Sequence, residues 1–130
     1  MSEESKTKKI LLIDGNTKDF PAFLQMMAQV ESERETRDPL ELLYTDNLSA
    51  GLKQVAKGGI SLVLIGHPLP QGDEESVKIL KKMAPALPVV AISAAKHKKL
   101  AEGAMKHGAQ GYLLKGKNGS EDLGRLIDQL

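Results

Sequence analysis

The sequence contains no cysteine and no tryptophan. The first absence excludes disulfides, thiolate metal sites and a thiol nucleophile. Aromatic residues make up only 3% of the chain, too few for the stacking platforms that grip bases or flavin rings. An excess of charge of one sign is also missing. The formal net charge of +1 creates no global field toward nucleic acid or an anionic membrane. No apolar run approaches the roughly 20 residues that a membrane span needs. The stretch from Met1 to Lys9 is charged and lacks the apolar core of a signal peptide. It is expected to be a solvated tail, disordered over residues 1–8, ahead of one domain over residues 9–130 of a cytoplasmic protein. There is no internal repeat and no low-complexity segment.

What remains is the balance of an ordinary folded domain: 130 residues, 41% hydrophobic and 27% charged. Short apolar runs alternate with helical patterns. Ile10 to Ile13 is a continuous apolar run that stops at Asp14, as strands buried on both faces do. Phe20, Phe23, Leu24 and Met27 follow at i, i+3, i+4, i+7, which predicts an amphipathic helix with Pro21 in its first turn. Glu31 to Pro39 is polar and is expected to be an exposed loop. Leu40 to Tyr44 is a second strand. Asn47 is placed to cap a helix that turns Leu48, Leu52, Val55 and Ala56 inward, with Asp46 in the capping turn and Gly58-Gly59 ending it.

Ile60 to Ile65 is a third, strongly apolar strand, followed by a loop from Gly66 to Gly72. Asp73 to Met83 is helical with Val77 and Leu80 inward, and Asp73 is expected to cap it. Val89 to Ile92 is a fourth strand. Lys96 to His107 is a helix stopped by Gly108. Gly111 to Leu114 is a short fifth strand, and Ser120 is expected to cap a last helix with Leu123, Leu126, Ile127 and Leu130 on one face.

Strand and helix repeated five times define an α/β fold, a three-layer, doubly wound parallel sheet. The flavodoxin-like order 2-1-3-4-5 is the natural arrangement. Ligands of such sheets sit beyond the carboxyl ends of the strands, at the switch point between strands one and three. That rule brings Asp14, Gly66, Ser93 and Lys115 together in one pocket.

The stretches Lys9 to Asp14, Leu62 to Gly72, Pro88 to Ala94 and Gly108 to Lys115, in this order and on these strand ends, resemble the receiver domain of two-component response regulators. The resemblance runs from about Lys8 to Leu130. It implies a module whose aspartate after strand three takes a phosphoryl group from a histidine kinase. An acidic pair after strand one would hold Mg²⁺, and a hydroxyl after strand four and a lysine after strand five would contact the phosphoryl oxygens. Such transfer works by positioning and charge neutralisation. On this sequence Asp14 matches the first acid, Ser93 the hydroxyl and Lys115 the lysine.

The departures fall on the chemistry itself. Gly66 stands at the phosphoacceptor position and Gly15 at the second acid, so a degenerate pseudo-receiver is expected. Gly116 replaces the usual proline after the lysine. With one carboxylate left, Asp14, no Mg²⁺ site and no cofactor are expected. Tyr112 matches the family's switch aromatic.

Other residues have plainer roles. His67 follows Gly66, but consecutive strand residues point oppositely, which leaves it a loop histidine. Asp14 is expected to pair with Lys115, and Ser93 to satisfy nearby backbone. Lys96-His97-Lys98-Lys99 is a solvated basic face without the aromatics of a nucleic-acid surface.

The expected function is phosphorylation-independent protein–protein interaction in two-component phosphorelay signalling. The expected partner is a histidine kinase, an output domain, or a second copy docked through the last two helices. The alternatives are a flavodoxin-like cofactor protein, a receiver phosphorylated at a non-standard residue, and a small-molecule enzyme. Asp14 would repel a flavin phosphate. No histidine is placed to activate Ser93 for catalysis.

Overall fold

The computed structural model describes residues 7–15, 18, 20–33, 40–66, 73–93, 106, 108–109, 111–114 and 117–128. The elements run β1 (Lys8–Asp14), α1 (Phe20–Glu33), β2 (Leu40–Thr45), α2 (Leu48–Lys57), β3 (Ile60–Gly66), α3 (Asp73–Met83), β4 (Val89–Ser93), β5 (Gly111–Leu114) and α4 (Lys117–Asp128). All strand pairs are parallel, in the order β2-β1-β3-β4-β5. The chain therefore steps outward from β1 to one edge, returns to β3, and continues the other way.

Strand alternation divides the core into two layers of packing. Ile10, Leu12, Leu62, Leu64, Val90 and Ile92 face α1 and α4, meeting Phe23, Met26, Leu123 and Ile127. Leu11, Ile13, Val63, Ile65 and Val89 face α2 and α3, meeting Leu48, Val77 and Leu80. Both faces of the sheet are thus covered, which is why its central strands read as unbroken apolar runs.

Local signals account for the element ends. Asn47 caps α2, its side-chain oxygen accepting from the Ala50 N–H at 2.8 Å. Asp46 joins that turn by accepting from Asn47 Nδ2. Gly58 and Gly59 follow at φ 83° and 87°, a region open to glycine at little steric cost. Two lysines close other helix ends. Lys8 Nζ donates to the Ile127 carbonyl of α4 at 3.0 Å. Lys81 Nζ donates to the carbonyls of Pro85 and Leu87, both at 3.0 Å.

Several expectations shift. β1 begins at Lys8, so Lys8 and Lys9 are strand rather than tail, with Lys8 beside Leu40 and Lys9 beside Glu41. α1 continues through Glu33, past the point where the polar loop was expected. Its inward stripe is Phe23, Met26, Met27 and Val30, while Leu24 is 45% exposed; the helix is turned by about one residue from the predicted face. Ala56 is exposed rather than inward: the inward stripe of α2 is Leu48, Gly51, Leu52 and Val55, at i, i+3, i+4 and i+7, and Ala56 falls one residue past it. Asp73 is the first residue of α3. α4 starts at Lys117, so Ser120 lies in its first turn instead of capping it. Most of the helix expected over 96–107, and Leu130, lie outside the described residues.

Candidate functional site

β3 is the central strand, with β1 on one side and β4 on the other, and their carboxyl ends lie side by side: Asp14 is in register with Gly66, and Gly66 with Ile92. These residues share the face that packs on α1 and α4. Asp14 is 1% exposed. Its side chain leans across β3 into the space above Gly66. A Cβ at residue 66 would stand 2.6 Å from Asp14 Oδ2 and 2.8 Å from its Cβ, well inside van der Waals contact. The carboxylate of β1 thus covers the position from which a side chain on β3 would project.

On the other flank stands Tyr44 of β2. Its hydroxyl donates to the Asp14 main-chain carbonyl at 2.9 Å, and its ring packs on Phe20 of α1 with centroids 4.5 Å apart. Burial pushes the Tyr44 phenol above its ordinary 10.0, and the negative charges of Asp14 and Asp46 push it further in the same direction. A phenolate here would lose solvation and stand beside two carboxylates. The pair Tyr44 and Phe20 was not singled out in the sequence. The available signal was an aromatic at the carboxyl end of β2, next to the switch point, with a second aromatic opening α1.

The remaining predicted positions follow the strand ends. Gly15 leaves β1 and is exposed. Ser93 ends β4 beside Leu114 of β5, and Tyr112 pairs with Ala91. The side chains of Ser93 and Tyr112, and the whole of His67, Lys115, Gly116 and the 96–99 basic cluster, lie outside the described residues. The backbone therefore brings Asp14, Gly66 and Ser93 to one edge.

The donors that the described residues bring to this edge do not fit a magnesium ion. Mg²⁺ demands near-octahedral oxygen ligation and binds through carboxylates plus its own waters. Gly15 and Gly66 bring no side-chain oxygen, and Asp14 is buried against Gly66. Among the described residues no group of three or more His, Asp or Glu is gathered. Among them, too, no helix is long and apolar enough to cross a membrane.

This architecture is the flavodoxin-like fold of response-regulator receiver domains. A response regulator receiver domain protein from Clostridium thermocellum superposes with a TM-score of 0.74 at 22% identity, covering 94% of this chain and 92% of that one. A putative response regulator from Chloroflexus aurantiacus gives 0.76 at 15% identity, over 95% and 97%. An orphan response regulator of H. pylori gives 0.70 at 16% identity, over 97% and 98%. No protein-family model and no curated protein matches the chain by sequence.

Proposed function

We propose that the chain is a pseudo-receiver: a two-component signalling module that acts through protein contacts without being phosphorylated. One observation carries this reading. The position that would bear the acceptor carboxylate is Gly66, and the space above it is taken by the buried side chain of Asp14. Phosphoryl transfer to an aspartate needs an accessible carboxylate and a cation to offset the charge that develops. Here the one carboxylate of the described edge is enclosed, and the neighbouring positions are glycine.

In this reading Asp14, Gly15, Ser93 and Lys115 are the remnant of a phosphorylation pocket, and Tyr112 is a switch aromatic without its trigger. The pocket's place in the molecule is structural: it ties the carboxyl ends of β1 and β3 together. The output passes through surfaces that a histidine kinase, an output domain or a second copy would recognise, in the cytoplasm where such relays operate.

Incubation of the full chain with acetyl phosphate and Mg²⁺, followed by intact-mass measurement, is the direct test. No phosphoryl adduct is expected. A stable adduct that maps to any residue of this edge would overturn the reading.

A further inference from the structure

Among the described residues the opposite edge of the sheet is open. A groove of about 910 Å³ runs along the amino ends of β1 and β3, between the exits of α2 and α3, and reaches Leu126 of α4. Its size is that of small-molecule sites, about 300–1,000 Å³. Its lining includes the aliphatic side chains of Val55, Ile60, Leu87 and Leu126, and no lining residue is aromatic.

The walls are held independently of any ligand. Gly58 N–H donates to the Val55 carbonyl at 3.0 Å, and Leu87 N–H to the Ala84 carbonyl at 3.0 Å. Lys81 grips the Pro85 and Leu87 carbonyls from behind. Such a trough loses little entropy on filling.

Cations gather at its rim. Lys8 lines the groove with its ammonium on the Ile127 carbonyl. Lys9, on the alternate face of β1, lies beside Gly59, where a Cβ would meet its Nζ at 3.8 Å. Lys9 is a half-buried residue in register with Glu41 of β2, and among the described residues its Nζ makes no ion pair or hydrogen bond. A cation so placed beside an apolar groove favours an incoming anion.

We propose that this groove is a binding site for an aliphatic monocarboxylate, with the carboxylate on Lys9 and the alkyl chain along Val55, Ile60 and Leu87. The aliphatic, non-aromatic lining suits an alkyl chain better than a flat ring, and the Lys9 ammonium beside Gly59 favours an anionic head group. The site is distinct from the carboxyl edge and does not depend on the pseudo-receiver reading.

The test is a titration of the ¹⁵N-labelled full chain with decanoate below its micellar range. Saturable amide shifts are expected at Val55, Gly58, Gly59 and Leu87, with Asp14 and Gly66 unmoved. Decanol, with the same tail and no charge, is expected to bind more weakly. Lys9→Gln is expected to weaken decanoate about two- to five-fold, the size of one partly exposed ion pair, while Lys9→Arg keeps it. The proposal is overturned by the absence of saturable shifts, by shifts centred elsewhere, by equal binding of decanol, by indifference to Lys9→Gln, or by shifts that appear only with anionic vesicles.

Discussion

The residues at the carboxyl edge hold one another by contacts of different kinds. Asp14 meets Gly66 sterically, so a side chain on residue 66 must displace a buried carboxylate. Replacing Gly66 by Asp would therefore place a second carboxylate against the first, and two such groups in one site resist ionising together. Tyr44 meets Asp14 through a hydrogen bond to its main chain. That contact has a pH signature. The Tyr44 phenol is raised in the folded state above its ordinary 10.0, by burial first and then by Asp14 and Asp46. A raised folded-state value means that the protonated form favours folding. The contribution is fully present below the unfolded value, near 10.0, and is lost as pH rises through the folded value. Tyr44→Phe is expected to lower stability by about 0.5–1.5 kcal/mol near neutral pH through the lost bond. It is also expected to flatten part of the fall above pH 10.0. Urea unfolding at a series of pH values, compared with the parent, reads both effects. An identical alkaline slope in the variant would show that the phenol is not perturbed by folding.

Two whole elements meet closely where α2 crosses β1. Gly51 is buried in the helix, and a Cβ there would come within 2.8 Å of Ile13 Cγ1 and closer still to its Cδ1. Alanine is the better helix former by about 1 kcal/mol, yet overpacking costs about 1–3 kcal/mol. Gly51→Ala is thus expected to be net destabilising, and Ile13→Val, which removes Cδ1, to recover part of the loss; the urea midpoints of the two single variants and the pair measure it. A stabilised Gly51→Ala would mean that α2 can lift off the strand without loss. The same contrast explains what the sequence made legible. The strands and their order were readable because β1 and β3 are apolar on both faces, a pattern that only a covered sheet tolerates. The capping of α2 was readable from Asn47. The inward face of α1 was not, because Leu24 and Met26 are both apolar and only packing against α4 decides between them. The start of α4 was missed because Ser120 is a good cap by type, while the first turn begins at Lys117. At the site, the absence of carboxylates at residues 15 and 66 was legible as Gly15 and Gly66. That Asp14 would fold over the gap depends on a side-chain rotamer, which no spacing encodes.

Across the whole molecule the two edges of the sheet differ in character. The carboxyl edge, where doubly wound sheets ordinarily bind, is filled at its centre by the protein's own side chain. Among the described residues the amino edge keeps an open aliphatic trough, with the Lys9 ammonium beside it and without a partner. β3 connects them directly, with Ile60 in the groove and Gly66 under Asp14. Its seven residues span about 20 Å at a rise of about 3.3 Å each. Sites so far apart with no shared partner act additively, within about 0.3–0.5 kcal/mol, unless an element between them has two arrangements. β3 is buried from Leu62 to Gly66 and paired on both sides, which leaves it no second register without turning its core face outward. Gly66→Ala, which disturbs Asp14, is therefore expected to leave the decanoate affinity of the amino-edge groove within about two-fold of the parent, and Lys9→Gln to leave the Tyr44 titration unmoved. Both are read on the same labelled protein by amide shifts and by phenolate absorbance. A larger change in either direction would mean that the edges communicate. β3, as the strand common to both, would then be the place to look for the two-state element that links them.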